Sequence, residues 1–131
     1  MTKMTKSVID AEGLARGLDL FNRAHFFDAH EVLEDVWRES AHGKPRRRHL
    51  QGLVQLAVAF HHESRNNSVG ARSVLERALR NLAGAEDSFP QLDLDCLRAE
   101  LVPWQHYLAG AGPRPVAPSI TSRARAARKH S

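Results

Sequence analysis

The sequence lacks the features that mark secreted, disulfide-bonded and membrane-spanning proteins. It has one cysteine, Cys96, in 131 residues, so no intrachain disulfide can form, and a free thiol suits a reducing compartment. The N-terminus has no apolar stretch of the length that a signal peptide needs. The longest nearly apolar run, Leu53 to Phe60, contains Gln55 and is far too short to cross a bilayer. We therefore expect a cytoplasmic protein.

Most of the chain also lacks an excess of positive charge. The formal net charge is +4, but residues 111–131 hold five of the 19 Lys and Arg residues and no acidic residue. Residues 1–110 therefore carry 14 basic and 15 acidic residues and are nearly neutral. The length suits one hydrophobic core. We expect residues 1–110 to form a single helical domain and residues 111–131 to form a basic, disordered tail.

Apolar spacing predicts the first two helices. Residues 8–24 place Leu14, Leu18 and Phe21 on one helical face. A second helix is predicted to begin at an N-cap, Asp28, with an acidic residue three positions later, as in a capping box. Gly43 is expected to end that helix, and the proline that follows it suits the first turn of the next.

Residues 46–64 predict a helix that is apolar on almost every side, and such a helix is normally buried all round. Residues 69–86, with Ser68 as N-cap, and residues 93–108, with Asp93 as N-cap, predict two more helices. Pro103 is expected to kink or split the last one. The predicted fold is all-α, a multihelical and mainly antiparallel bundle of about five helices around a buried central helix.

Two rows of polar residues suggest a candidate site. His30, Glu34 and Trp37 follow i, i+4 and i+7 on the second helix, so they share one face. The central helix carries a second row of three polar residues at i, i+4 and i+11. Buried polar groups need partners, so we expect the two rows to face each other. With one rim residue, the predicted cluster consists of His30, Glu31, Glu34, Trp37, Gln51, Gln55 and His62.

Three interpretations of this cluster remain open. In the first interpretation, the cluster is a hydrogen-bond network that fixes helix register or holds a small ligand. Alternatively, His30, Glu34 and His62 bind a divalent metal, as helical bundles do with carboxylates and histidines, and support a metal-assisted hydrolase. As a third alternative, Glu34 is a general base oriented by His30. The pattern assigns no catalytic residue and leaves open whether the protein is an enzyme.

A basic run, residues 44–49, suggests either a solvated loop or an anion contact. The contact would use Arg46, Arg47 and Arg48, helped by the basic tail, and would make the chain a module that binds nucleic acid through its phosphate backbone or binds another partner. No aromatic residue is interleaved with the run, so base stacking is not expected. The sequence also leaves a homo-oligomer open.

Three segments together resemble a known family: FNRAHFFDAHEVLEDVW, LQGLVQLAVAFHH and GARSVLERALRNL. The chain resembles the domain of unknown function 309 family, small helical proteins with an HExxExxW signature, over about residues 14–86. The resemblance places that signature on His30, Glu31, Glu34 and Trp37, and it places further matching positions of the central helix on Gln51, Gln55 and His62. It implies a compact helical bundle with a buried central helix and no established activity.

Overall fold

The structure, a computed structural model, describes the backbone of residues 6–123 and the side chains of residues 10–123. Five α-helices form this part of the chain: Lys6–Asn22 (α1), Phe26–Glu39 (α2), Pro45–Ser64 (α3), Ser68–Asn81 (α4) and Leu94–Leu108 (α5). A short 3₁₀ turn, Ala85–Asp87, follows α4. No strand occurs among the described residues, where an isolated bridge joins Leu92 and Ser122. The all-α prediction is confirmed.

The central helix is α3, which packs against α2 on one side and α4 on the other. The ring of Phe26 meets Phe60 at 5.6 Å near one end of the α2–α3 pair, and Trp37 meets Arg47 at the other. These two helices are therefore antiparallel. None of residues 49–63 is exposed, as the apolar pattern predicted. None of the described helices is long and apolar enough to cross a membrane.

Glycines allow α1 to approach α2 closely. A Cβ atom added at Gly17 would lie 2.5 Å from Leu33 Cδ2, and one at Gly13 would lie 2.7 Å from Val36 Cγ2. Leu33 is 1% exposed and has little room to move. The two glycines reduce intrinsic helix propensity, and in exchange they bring the backbones of α1 and α2 together.

The predicted start of α2 is wrong. The helix begins at Phe26, and Asp28 lies in its first turn. The reason is a tight turn after α1, in which Ala24 adopts a left-handed φ of 64° and His25 N–H donates to Leu20 O at 2.9 Å. The chain re-enters a helix at once, so Asp28 comes too late to cap it. Its carboxylate still suits the positive end of the helix dipole.

Two further caps were predicted, and one of them is displaced. The N-cap of α4 is Asn67, whose Oδ1 accepts from Gly70 N–H at 3.0 Å, and Ser68 is the first helical residue. Asp93 caps α5 as predicted, accepting from Cys96 N–H at 3.0 Å. Pro103 does not split α5, which runs through it with the proline exposed to solvent.

Residues 111–123 do not behave as the disordered tail that the sequence suggested. Ile120 is 4% exposed and joins the core. The Asn22 side chain donates to Ile120 O at 2.9 Å and accepts from Ile120 N–H at 2.7 Å. Asp93 N–H donates to Thr121 O at 2.8 Å. These residues belong to the fold, and the rest of the predicted tail, residues 124–131, lies outside the described residues.

Candidate functional site

The α2 half of the predicted cluster forms a half-buried ion-pair row. His30 Nε2 lies 2.8 Å from Glu34 Oε2, and Arg38 donates to Glu34 Oε1 at 2.9 Å. The side chains of His30 and Glu34 are 26% and 29% exposed, and Glu31 is exposed. Both carboxylate oxygens of Glu34 already have partners, so this group is held in place and is less available as a general base.

The sequence predicted that His62 meets this row, but the α3 residue linked to it is His61, and the link is the Phe27 ring. The Phe27 ring lies 5.9 Å from the His30 ring and 5.3 Å from the His61 ring. Burial lowers the pKa of His61 below its usual value, and the positive charges of Arg65, His62 and His30 lower it further. His61 stands fourteen residues after Arg47, close to four helical turns, so both belong to the α2 side of α3.

The other predicted members of the cluster point to different neighbours. Gln55 Oε1 accepts from Asn81 Nδ2 at 2.7 Å, which directs it to α4. His62 Nδ1 lies 3.4 Å from Asn67 Nδ2, beyond the end of α3. Gln51 is half-buried on α3. The predicted convergence of two polar rows on one seam is therefore wrong, because α3 distributes its polar side chains between two neighbouring helices.

The predicted metal set is not brought together. His30 is paired with Glu34, while His62 contacts the turn that follows α3. Among the side chains of residues 10–123, no three His, Cys, Asp or Glu residues are placed to hold a metal ion. His30, Glu34 and His62 therefore do not form the predicted set of metal ligands in this structure, because His30 and His62 contact different neighbours.

Two of the three predicted anion-binding arginines bind backbone carbonyl groups. The Arg47 guanidinium lies 4.3 Å from the centre of the Trp37 ring and donates to Trp37 O at 2.8 Å and Ser40 O at 3.0 Å. Arg48 donates to Ala83 O at 3.0 Å. Cations stabilise unpaired carbonyl groups at helix C-termini. Arg47 and Arg48 therefore bind carbonyl groups at the ends of α2 and α4, and an anion contact at these two residues stays a prediction.

A buried histidine in the same basic run was missed. His49 is 2% exposed, and its Nδ1 lies 2.6 Å from Ser88 Oγ. Burial lowers the pKa of His49 below its usual value, and the neighbouring Arg48 cation lowers it further. The signal was available in the sequence, because His49 precedes Leu53 and Phe60 by four and eleven residues on the buried face of α3.

A cavity of about 300 Å³ lies between α1, the start of α3 and the loop before α5. Most of its wall is apolar, and Leu14, Leu18 and Leu92 supply buried side chains to it. Asp10 and Arg46 bring opposite charges to the same wall. A mostly apolar cavity with a few convergent polar groups is the usual form of a small-molecule site.

Each of these two charged side chains has a buried polar atom without a partner. Asp10 Oδ1 and Arg46 Nη1 make no hydrogen bond within the described part of the chain. The Arg46 guanidinium lies 5.2 Å from the centre of the Phe89 ring. Trp37 Nε1 and Glu100 Oε2 also lack partners, but neither side chain lines this cavity. Arg46 is therefore the member of the predicted arginine trio that has a buried donor without a partner.

Comparison with known proteins finds a family match for part of the chain. Residues 14–74 match the family model described as Domain of unknown function (DUF309). This segment, a little under half of the chain, is similar to the DUF309 family. It contains α2 and α3 entire, and with them His30, Glu34 and Trp37. The family match gives a range of residues and no individual motif. That HExxExxW is the signature of the family therefore stays a prediction.

Two relatives are similar to part of the chain and are much longer than the segments that match it. "Uncharacterized protein YpuF" of Bacillus subtilis is 37% identical over 70 residues, which are 53% of this chain and 40% of that protein. An "Uncharacterized protein" of Aquifex aeolicus is 30% identical over 92 residues, which are 70% of this chain and 27% of that protein. The chain thus spans less than half the length of each of these relatives.

The cavity is built partly inside and partly outside the DUF309 segment. Leu14, Leu18 and Arg46 lie within residues 14–74, whereas Asp10 and Leu92 lie outside. The ion-pair row on α2 lies wholly inside. The segment that matches DUF309 therefore forms only one part of the cavity wall, and residues outside that segment complete it.

The buried His49 predicts an acid-sensitive fold. Its pKa is lowered in the folded state, so the unfolded chain binds the proton more strongly and stability falls as the pH drops. The loss begins near the ordinary histidine pKa, about 6.5, and continues until the pH is below the lowered folded value. Urea denaturation at a series of pH values should therefore show a steeper decline for the natural chain than for His49→Gln. His61 is present in both proteins, so its effect on the pH dependence is the same in each. If the free energy of unfolding fell equally with pH in both proteins, His49 would not be the source of the acid sensitivity.

Proposed function

We propose that the chain is a small-molecule-binding domain whose ligand occupies the cavity between α1 and the start of α3. The observation that carries the proposal is the placement of two oppositely charged side chains, Asp10 and Arg46, on the wall of one mostly apolar cavity, each with a buried polar atom that has no hydrogen-bond partner. We also propose the cytoplasm as its location, because a chain with one cysteine forms no intrachain disulfide, which suits a reducing compartment.

The energetic argument rests on hydrogen bonds that the protein leaves unmade. A buried polar group without a partner costs about 1–3 kcal/mol, and more when it is charged. A ligand that supplies partners to Asp10 and Arg46 recovers that energy on binding. Contact of Leu14, Leu18 and Leu92 with the apolar part of the same molecule removes apolar surface from water, which further stabilises the complex.

The ion-pair row on α2 has a structural role in this proposal. His30, Glu34 and Arg38 form a continuous chain of contacts along α2, and Arg47 ties the end of that helix to α3. Such a network fixes how the helices are rotated against each other. It thereby helps to hold Arg46, the neighbour of Arg47, in the wall of the cavity.

The proposal is tested by blocking the cavity from its solvent side. Ala15 lines the cavity but is exposed, so Ala15→Trp should fill the space without disturbing the core. The probes are isocaproate, isoamylamine and isocaproamide, which share a branched apolar tail and differ in the polar head. In amide NMR spectra of the full chain, at least one should shift residues around the cavity and saturate in the millimolar range or below.

The matched control is Ala99→Trp, which adds the same ring at an exposed alanine of α5. We expect Ala15→Trp to abolish the shifts and Ala99→Trp to leave them unchanged. The proposed function would be abandoned if none of the probes saturated, or if Ala15→Trp had no effect on the shifts.

A further inference from the structure

We infer that the ligand is a free α-amino acid with a branched apolar side chain, bound with its ammonium group at Asp10 and its carboxylate at Arg46. The inference rests on the proposed function, since it names the class of molecule for the same cavity. It is carried by the juxtaposition of one anionic and one cationic side chain that share a cavity and do not satisfy each other.

A ligand with one charge would leave half of the site unsatisfied. Asp10 Oδ1 needs a donor, whereas Arg46 Nη1 is a donor that needs an acceptor. Both atoms are shielded from solvent, so water does not compensate either of them at the surface. A zwitterion supplies an ammonium donor and a carboxylate acceptor in one small molecule, and it adds no net charge to the cavity.

The α3 end of the cavity suits a carboxylate in particular. Arg46 stands in the first turn of α3, where the helix dipole is positive and no acidic residue is present. Its guanidinium lies against the Phe89 ring, which limits the orientations that it adopts. An oriented guanidinium binds a carboxylate through short, charge-assisted hydrogen bonds, which are stronger than neutral ones.

The apolar wall and the volume indicate the rest of the molecule. About 300 Å³ is at the lower end of the range for ligand sites, which suits a single amino acid better than a long peptide or a nucleotide. The wall formed by Leu14, Leu18 and Leu92 gives a side chain apolar neighbours and few polar ones. A branched aliphatic side chain matches this wall, and a charged side chain would lose its hydration there.

The experiment compares L-leucine with the three single-headed probes on the full chain. L-leucine should bind at least about tenfold more tightly than isocaproate, isoamylamine or isocaproamide, because it alone makes both charge-assisted contacts. Arg46→Gln should weaken leucine to the affinity of isoamylamine and leave isoamylamine unchanged. Asp10→Asn should weaken leucine to the affinity of isocaproate and leave isocaproate unchanged.

Each result separates the ligand class from the proposed function. If isocaproate, isoamylamine or isocaproamide binds as tightly as leucine, the zwitterion inference is overturned while small-molecule binding at the cavity stands. If no compound shifts the cavity residues, the proposed function itself fails. If either variant unfolds, the same question is tested on the natural chain with N-acetylleucine and leucinamide. Each of these compounds lacks one of the two charges of leucine. Equal affinity of leucine and both derivatives would also overturn the inference.

Discussion

Replacing Trp104 with alanine is expected to lower the free energy of unfolding by about 3–5 kcal/mol, the usual loss for a buried tryptophan. Trp104 is 1% exposed and packs edge-to-face on Phe60 with ring centres 5.0 Å apart. Its Nε1 donates to Val116 O at 3.0 Å, and Arg114 lies over its ring. Urea denaturation followed by circular dichroism measures the change. A loss below about 1 kcal/mol would show that the side chain is not a core element.

The control for this substitution is Trp104→Phe, which keeps an aromatic ring in the core and removes the Nε1–H donor. We expect a smaller loss than for alanine, because the core stays better filled. Both variants should also increase hydrogen exchange at the amide of Ile120, which is held by the Asn22 side chain. Unchanged exchange there would mean that residues 111–123 are anchored independently of Trp104.

Replacing Gly17 with valine is expected to lower the free energy of unfolding by about 2–3 kcal/mol, although a side chain normally improves on glycine in a helix. The reason is the contact with α2, where an added Cβ would lie 2.5 Å from Leu33 Cδ2. Leu33 is buried, so it cannot turn towards solvent. Thermal denaturation of the full chain measures the effect.

The matched control is Ala15→Val, which places the same side chain at an exposed position two residues earlier on α1. We expect it to change the free energy of unfolding by less than about 0.5 kcal/mol. Equal melting temperatures for the two variants would show that α1 and α2 have room to separate, and would remove the role assigned to Gly17.

The helices were predictable because their signals are local. The apolar run of residues 46–64 predicts a buried central helix, and α3 is that helix. The spacing of His30 and Glu34 predicts a shared face, and the two side chains are paired. Both predictions need only the period of a helix. The start of α2 failed because the turn at Ala24 depends on a left-handed residue that the sequence does not mark.

The composition of the site was not predictable, because it depends on how α3 is rotated against its neighbours. The sequence could not show that His61 faces α2 while Gln55 faces Asn81 on α4. Sequence patterns give the period of a helix and leave open which neighbour each face meets. The same limit applies to the cavity, because Asp10 and Arg46 are distant in the chain and only tertiary packing places them on the same cavity wall.

The most direct test of small-molecule binding is the position of leucine in the cavity. In the full chain at saturating L-leucine, intermolecular nuclear Overhauser effects should connect the ligand's methyl groups with the methyl groups of Leu14, Leu18 and Leu92. These contacts should disappear in Ala15→Trp. Contacts to another surface, such as the exposed ring of Phe27, or no contacts at saturation, would contradict the assignment of this cavity as the binding site.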